Sequence, residues 1–328
     1  MYIITFSDTI LASLTEKMFA GSLSITNPTP SDWAKFQSFF RYAYHMKGET
    51  WQGGSPAVKS AHGRTNYSWE NDLFLAELNR RIIGVADVTM EIRIGRAIVE
   101  WFVHPAVHRK RVGRELMRYA CERGRQQGAK RAHICVPEED EFNRNFAAEM
   151  GFAQVRCFLG MEMVFPSPQD RPAASIGSVS VGHFRAGDGA LLTTLQNRVF
   201  SGSWGFSPNS PEDIRYFFRV TQSKWQDILL IREEEKIIGY CWFHPVTQEG
   251  RSSEKKRWRI HMFGIDPEYQ GKGWGKKLFL IGLDYLRKKD ASSVELTVDS
   301  ENTPAFELYK SGGFRVKSRE YWYEKELL

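Results

Sequence analysis

The chain has 328 residues, of which 42% are apolar and 26% charged, and a formal net charge of +6. That length suits two domains of ordinary size, and the composition is that of a folded globular protein, not a disordered one. No apolar run approaches the ~20 residues of a membrane span, and no basic start with an apolar centre opens the chain. The four cysteines (Cys121, Cys135, Cys157, Cys241) lack Cys-x-x-Cys spacing, so neither a metal knuckle nor a disulfide scaffold is expected and a reducing cytoplasm fits. Basic clusters at Arg109-Lys110-Arg111 and Lys255-Lys256-Arg257 come with no nucleic-acid motif. They are read as solvated surface, with some charge available to a phosphorylated ligand.

In chain order, residues 1–21 form an extension without an assigned role. Asp72 to Val88 (DLFLAELNRRIIGVADV) reads as a strand, a polar turn and a second strand opening on Ile-Ile-Gly. The same pattern returns 155 positions later as DILLIREEEKIIGYCWF, Asp227 to Phe243. Phe102 to Pro105 returns 162 positions later as Gly264 to Pro267, and the same interval pairs Gly113 with Gly275 and Gly151-Phe152 with Gly313-Phe314. The change of interval means seven extra residues in the second copy, assigned to the polar stretch Thr247 to Lys256. The chain is therefore two copies of one fold: 22–165, a Pro-rich linker at 166–177, and 178–328.

Within the second copy, Ser178 to His183 alternates as a strand and Ala186 to Val199 suits a helix. After the paired strands, Arg259 to Ile265 is a strand that runs straight into a glycine loop. Lys276 to Lys288 is a largely buried helix, Val294 to Val298 a strand, and Thr303 to Lys310 a helix ended by Gly312-Gly313. Alternating strands and helices imply an α/β fold, a mixed sheet flanked by helices.

The loop is EYQGKGWGKKL, Glu268 to Leu278. A strand feeding a helix through Gly-x-Gly-x-Gly presents unpaired backbone N–H groups at a helix N-terminus, where the helix dipole adds partial positive charge. That is a phosphate cradle. The spacing is neither the dinucleotide Gly-x-Gly-x-x-Gly nor the Gly-Lys-Ser/Thr of a nucleotide loop. It is Gln-x-x-Gly-x-Gly, from Gln270, Gly273 and Gly275, followed downstream by Asn302, Tyr309 and Gly313-Phe314.

In these motifs the second copy resembles the GNAT-fold N-acetyltransferases, and the first copy resembles them more weakly. The chain is thus similar to tandem two-domain members, among them the mycothiol synthases. The resemblance implies acetyl-CoA as co-substrate, a small amine or peptide as acceptor, and no metal. It implies that Phe263, Gly264 and Ile265 pair with the pantetheine arm, and that Gln270, Gly271, Lys272, Gly273, Trp274, Gly275 and Lys276 hold the pyrophosphate. Asn302 would bond the arm further along, and Tyr309 would protonate the departing thiolate. A thiol near pKa 8.5 and a tyrosine near 10 are suitably matched for that transfer.

Two positions depart from the family pattern. Arg259 stands where many relatives carry a glutamate base, eleven residues before Gln270, and Thr297 stands where a mycothiol synthase has a substrate-contacting tyrosine. The reaction is therefore carried over and the thiol-sugar substrate is not. His261, two residues along the strand, should share the face of Arg259 and is the candidate base, directly or through water. Arg259 is a candidate for binding a substrate carboxylate or phosphate. A weak base suits an acceptor of low pKa: an α-amine near 8 costs about 1 kcal/mol to deprotonate at pH 7, a lysine about 4–5 kcal/mol. A protein N-terminus or lysine as acceptor, and a non-catalytic acyl-CoA-binding regulator, are the alternatives. In the first copy the equivalent positions are His108, Arg111, Gly113, Asp140 and Ala147. A cradle glycine has become a cation and the proton donor is gone, so this copy is expected to be degenerate.

Overall fold

The computed structural model describes residues 22–46, 63–165, 180–234, 236–246 and 256–327. The N-terminal extension, the linker and, but for Lys256, the stretch Thr247 to Lys256 to which the extra residues are assigned lie outside the described residues. The first half runs β1 (Ser24–Thr26), α1 (Trp33–Met46), α2 (Trp69–Asp72), β2 (Leu73–Leu78), β3 (Arg81–Glu91), β4 (Arg96–Val103), α3 (Arg109–Gln126), β5 (Arg131–Pro137), α4 (Glu141–Glu149) and β6 (Ala153–Val164). The second half repeats the order as β7 (Ser180–His183), α5 (Gly189–Phe200), α6 (Pro211–Val220), β8 (Ile228–Glu233), β9 (Lys236–Pro245), β10 (Lys256–Ile265), α7 (Trp274–Lys288), β11 (Ala291–Asp299), α8 (Thr303–Ser311) and β12 (Arg315–Glu326). Helix α7 begins two residues before the position read from the sequence, because Gly273 at φ 81° turns the chain directly into it.

The twelve strands of the described residues form one mixed sheet, in the order β1-β2-β3-β4-β5-β12-β6-β11-β10-β9-β8-β7. The last strand of each half is exchanged. β12 pairs with β5 (Trp322 opposite Cys135) and β6 pairs with β11 (Val298 opposite Leu159), while β6 and β12 pair with each other through the centre. Neither half closes its sheet alone, so the second half's sheet contains a strand of the first.

In the second half the two faces of the sheet are covered by different helices. One face packs Leu278, Phe279, Leu283 and Leu286 of α7 against Ile260, Val294, Leu296 and Val298. Each such buried side chain contributes roughly 1.5–3 kcal/mol. The other face packs Leu192 and Leu195 of α5 and Ile214 of α6 against Ile228, Leu230, Tyr240 and Trp242. The first half grips this second layer: Arg93 Nη1 donates to Pro208 O at 2.5 Å and to Asp213 Oδ2 at 3.3 Å, and Thr65 Oγ1 also donates to Asp213. Arg64 lies over the rings of Tyr216 and Phe217, 5.3 and 5.8 Å from their centroids.

Candidate active site

The site begins with a strand that leaves its neighbour. β10 runs parallel to β11 only as far as Arg259 opposite Glu295, although β10 continues to Ile265 and β11 to Asp299. Beyond that row the two strands separate, and the β11-facing edge of β10 from Ile260 to Ile265 has no strand partner among the described residues. On its other side β10 stays paired with β9, except that Ile260 faces Phe243 and Met262 faces Trp242, leaving His261 as an extra residue. A bulge re-aims side chains locally. Trp258, Ile260, Phe263 and Ile265 all pack on the α7 face, whereas His261 lies against Phe217 and Trp242 on the opposite one.

Strand β10 ends at Ile265, whose carbonyl accepts from Gln270 Nε2 at 3.0 Å, so Gln270 braces the loop. Gly271 and Gly273 have φ of 74° and 81°, a conformation that L side chains rarely adopt, and a Cβ on either would meet nothing within 4 Å. The loop is thus backbone on its open side. Helix α7 has Gly273 as N-cap with no side-chain cap. Its first-turn amides, those of Trp274, Gly275 and Lys276, have the orphan character of an uncapped helix start. Lys276 is exposed at the rim, Lys272 sits 5.0 Å from the Tyr269 ring, and Lys277 sits 4.6 Å from the Trp274 ring. Open loop, uncapped amides and the unpaired edge at Phe263, Gly264 and Ile265 together fit an extended ligand carrying a diphosphate.

Tyr309, on α8, lies beside this edge: its ring is 6.2 Å from Phe263 and 5.5 Å from Phe279, and it is 7% exposed. Burial, with Cys241 adding a smaller push, raises its hydroxyl well above the ordinary tyrosine value, so it stays protonated. Asn302 is the N-cap of α8, where its Oδ1 accepts from Ala305 N at 3.2 Å. His261 is held among Phe217, Trp242 and His244, with ring centroids 4.9–5.9 Å away. Burial first, then His244 and Arg259, pulls its pKa down to about 3, so the imidazole is neutral at physiological pH. Arg259 shares that face, but its Nε and Nη2 both engage Glu295 Oε1, at 2.8 and 2.6 Å, while Arg257 takes Oε2 at 2.8 Å.

Sequence reasoning alone does not single out Glu295 or Phe217. A signal for Glu295 existed: in β11 (ASSVELTVD) polar residues alternate with Val, Leu and Val, so one face of a central strand lacks an apolar cover. Phe217 and His244 join the site only through tertiary packing.

The first half has the same strand divergence, with β4 and β5 paired only from Arg96–Arg131 to Ile98–His133. Its surroundings differ. β4 pairs with β3 in unbroken register, without a bulge. The N-cap of α3 is His108, whose Nδ1 accepts from Arg111 N at 3.3 Å, so this helix start caps itself. A Cβ at Gly113 would approach Phe146 Cζ to 3.1 Å, where the equivalent Gly275 meets only Ile265 at 3.8 Å. Lys110 pairs with Glu149 at 2.5 Å, and Arg109 stacks 3.7 Å from the Phe142 ring.

Among solved structures, the chain is similar to a tandem GNAT protein from the clavulanic acid biosynthesis pathway: TM-score 0.69, 16% identity, covering 94% of this chain and 99% of that one. It is also similar to a GCN5-related N-acetyltransferase from Sphaerobacter thermophilus, with TM-score 0.66, 19% identity and coverage of 93% and 96%. At these identities the likeness is one of fold. Among curated relatives, a mycothiol acetyltransferase of Thermomonospora curvata is 30% identical over 69% of this chain and 72% of its own length. One from Propionibacterium freudenreichii is 27% identical over 55% of this chain and 57% of its own length, so the match there spans little more than half of the relative. The model of the Acetyltransferase (GNAT) family matches both halves, over residues 37–152 and 192–314, and the chain therefore belongs to the GNAT family of acetyltransferases.

Proposed function

We propose that the second half transfers the acetyl group of acetyl-CoA to the amino group of a small molecule or peptide by direct attack, and that the first half is not catalytic. The observation that carries this reading is the contrast between two equivalent helix starts: α7 opens uncapped at a left-handed glycine, and α3 is capped by His108. Acetyl-CoA, when bound, supplies an activated acetyl group on a thiol leaving group. Backbone N–H groups from Gly271 to Lys276 would hold its pyrophosphate, and the free edge of β10 at Phe263, Gly264 and Ile265 would pair with its amide-bearing arm. Asn302 retains its side-chain Nδ2 to donate to the same arm.

Tyr309, its ring beside that edge and its hydroxyl kept protonated by burial, would supply the proton taken up by the departing thiolate. His261 accepts a hydrogen bond from the attacking amine, directly or through water. A ring with a pKa of about 3 is a weak base, which favours an acceptor that loses its proton readily, such as an α-amine near 8, over a lysine near 10.4. Arg259 lines the acceptor side of the strand gap and, anchored on Glu295, offers its remaining nitrogen to an anionic acceptor group. A protein N-terminus is the second reading, favoured by the exposure of Thr297 in the middle of the sheet, which leaves that face open.

Calorimetric titration with acetyl-CoA, followed by thiol release with a panel of amines, tests the proposal. One site per chain and release with an α-amine are expected. Binding without release for any amine would leave a non-catalytic acyl-CoA binder, and two equivalent sites would refute the assignment to the second half.

A further inference from the structure

A row of polar side chains crosses the sheet where β10 and β11 part. His244, Arg259, Glu295 and Glu162 are successive register partners on β9, β10, β11 and β6. They share one face, because the intervening Phe243, Ile260, Leu296 and Met161 all pack on the α7 side. Glu162 belongs to the exchanged strand and comes from the first half of the chain. The next positions along the same face are small: Thr297, Gly160 opposite it, and Ser318 opposite that. Thr297 and Ser318 are exposed, and a Cβ at Gly160 would collide with Ser318 Oγ. The row therefore borders a shallow trough whose floor is formed by β11, β6 and β12.

Glu162 and Glu295 stand directly opposite each other in antiparallel register, where like charges repel. Their compensation is unequal. Glu295 is clamped by two arginines, each with its guanidinium within 2.8 Å. Glu162 faces Arg315 across the sheet on β12 and takes its ion pair, at 3.0 Å, from Lys317, on a side chain that is 63% exposed. Lys317 is the extra residue of a bulge, since Val316 faces Met161 and Ser318 faces Gly160, and that bulge turns its ammonium toward the trough. An exposed lysine makes a weak, exchangeable pair.

Building on the acetyltransferase reading, we infer that Glu162 binds the ammonium of the incoming acceptor, and that Lys317 occupies this place until the acceptor displaces it. The exchanged strand thus gives the second half its acceptor specificity: an acceptor that arrives as an ammonium, is captured one strand away from the gap that would receive the acetyl group, and gives up its proton to solvent water before the neutral amine moves into the gap to attack. With Arg259 in the same row, the seat favours an acceptor that also carries an anion, as an α-amino acid or a dipeptide with a free carboxylate does.

The two residues predict effects of opposite sign. In Glu162→Gln the KM for the amine should rise tenfold or more with the KM for acetyl-CoA unchanged, and Glu162→Asp should recover part of the loss. Lys317→Met should leave the amine KM unchanged or lower it. Glycinamide, glycylglycine and glucosamine serve as probes, with thiol release as the kinetic readout. Calorimetric binding of the same amines to the CoA-loaded protein gives a measure that needs no turnover, so a protein without acetyltransferase activity is still tested. An amine KM or affinity within twofold of wild type in Glu162→Gln overturns the proposal. So does a parallel change in the acetyl-CoA KM, or failure of all three amines to bind the wild type.

Discussion

Replacing Gly273 by arginine copies into the second half the residue found at the equivalent position, Arg111, of the first. The structure sets two magnitudes. Gly273 has φ 81°, so a side chain there costs ~1–2 kcal/mol of backbone strain. A Cβ meets nothing within 4 Å, so no clash is added. Against a typical stability of ~5–15 kcal/mol the variant should still fold. The effect on acetyl-CoA is larger. Relaxing Gly273 out of the left-handed region reorients the amides that start α7, and hydrogen bonds to a charged group contribute ~1.5–3 kcal/mol each. Losing two of them weakens binding by ~3–6 kcal/mol, or roughly 10²- to 10⁴-fold. The arginine also brings positive charge, so if charge alone held the pyrophosphate, binding would tighten. Calorimetry on wild type, Gly273→Arg and Gly275→Ala separates the two accounts, because Gly275 has no positive φ and its Cβ would make only ordinary contact, 3.8 Å from Ile265. Unchanged or tighter binding by Gly273→Arg would refute the backbone cradle.

Tyr309→Phe should lower kcat by roughly 10²–10³-fold with little change in thermal stability, and because burial raises this phenol, wild-type kcat should show no alkaline fall from Tyr309 up to pH 9; a kcat within threefold of wild type would remove it as the acid. Stability should decline on acidification. His133, pulled down to about 4 by burial and then by Arg96 and Arg131, takes up its proton first in the unfolded chain, so stability is lost as pH falls from ~6.5 toward 4. Urea midpoints across that range should flatten in His133→Gln, and His261, pulled down to about 3 chiefly by burial, adds a loss of the same sign that extends to that pH. Asp213→Ala removes the N3 carboxylate that accepts from Ser210 N at 2.8 Å and from Arg93 at 3.3 Å. It should lower stability by about 1–3 kcal/mol, read as a shift in urea midpoint, and a neutral result would mean that α6 does not depend on the first half.

The sequence by itself determined what depends on near neighbours along the chain. The duplication, the alternation of strands and helices, and the glycine loop at the mouth of a helix are local patterns, because φ freedom, helix starts and apolar periodicity are settled within a few residues. The spoiled loop of the first half was legible in the same way, through Arg111 and the missing tyrosine at Ala147. Only the tertiary structure decided how the halves are joined. β6 and β12 look alike in either half, and nothing local says which neighbour each will take. Their exchange follows from long-range pairing across the centre of the sheet. The bulge at His261 is a register event between two strands; His244 reaches that ring only when β9 pairs with β10, and Phe217 only when α6 is laid on the sheet. Glu162, 133 positions before Glu295 in the chain, comes to stand opposite it for the same reason: strand register is set by the burial of whole faces, not by the residues that happen to meet in it.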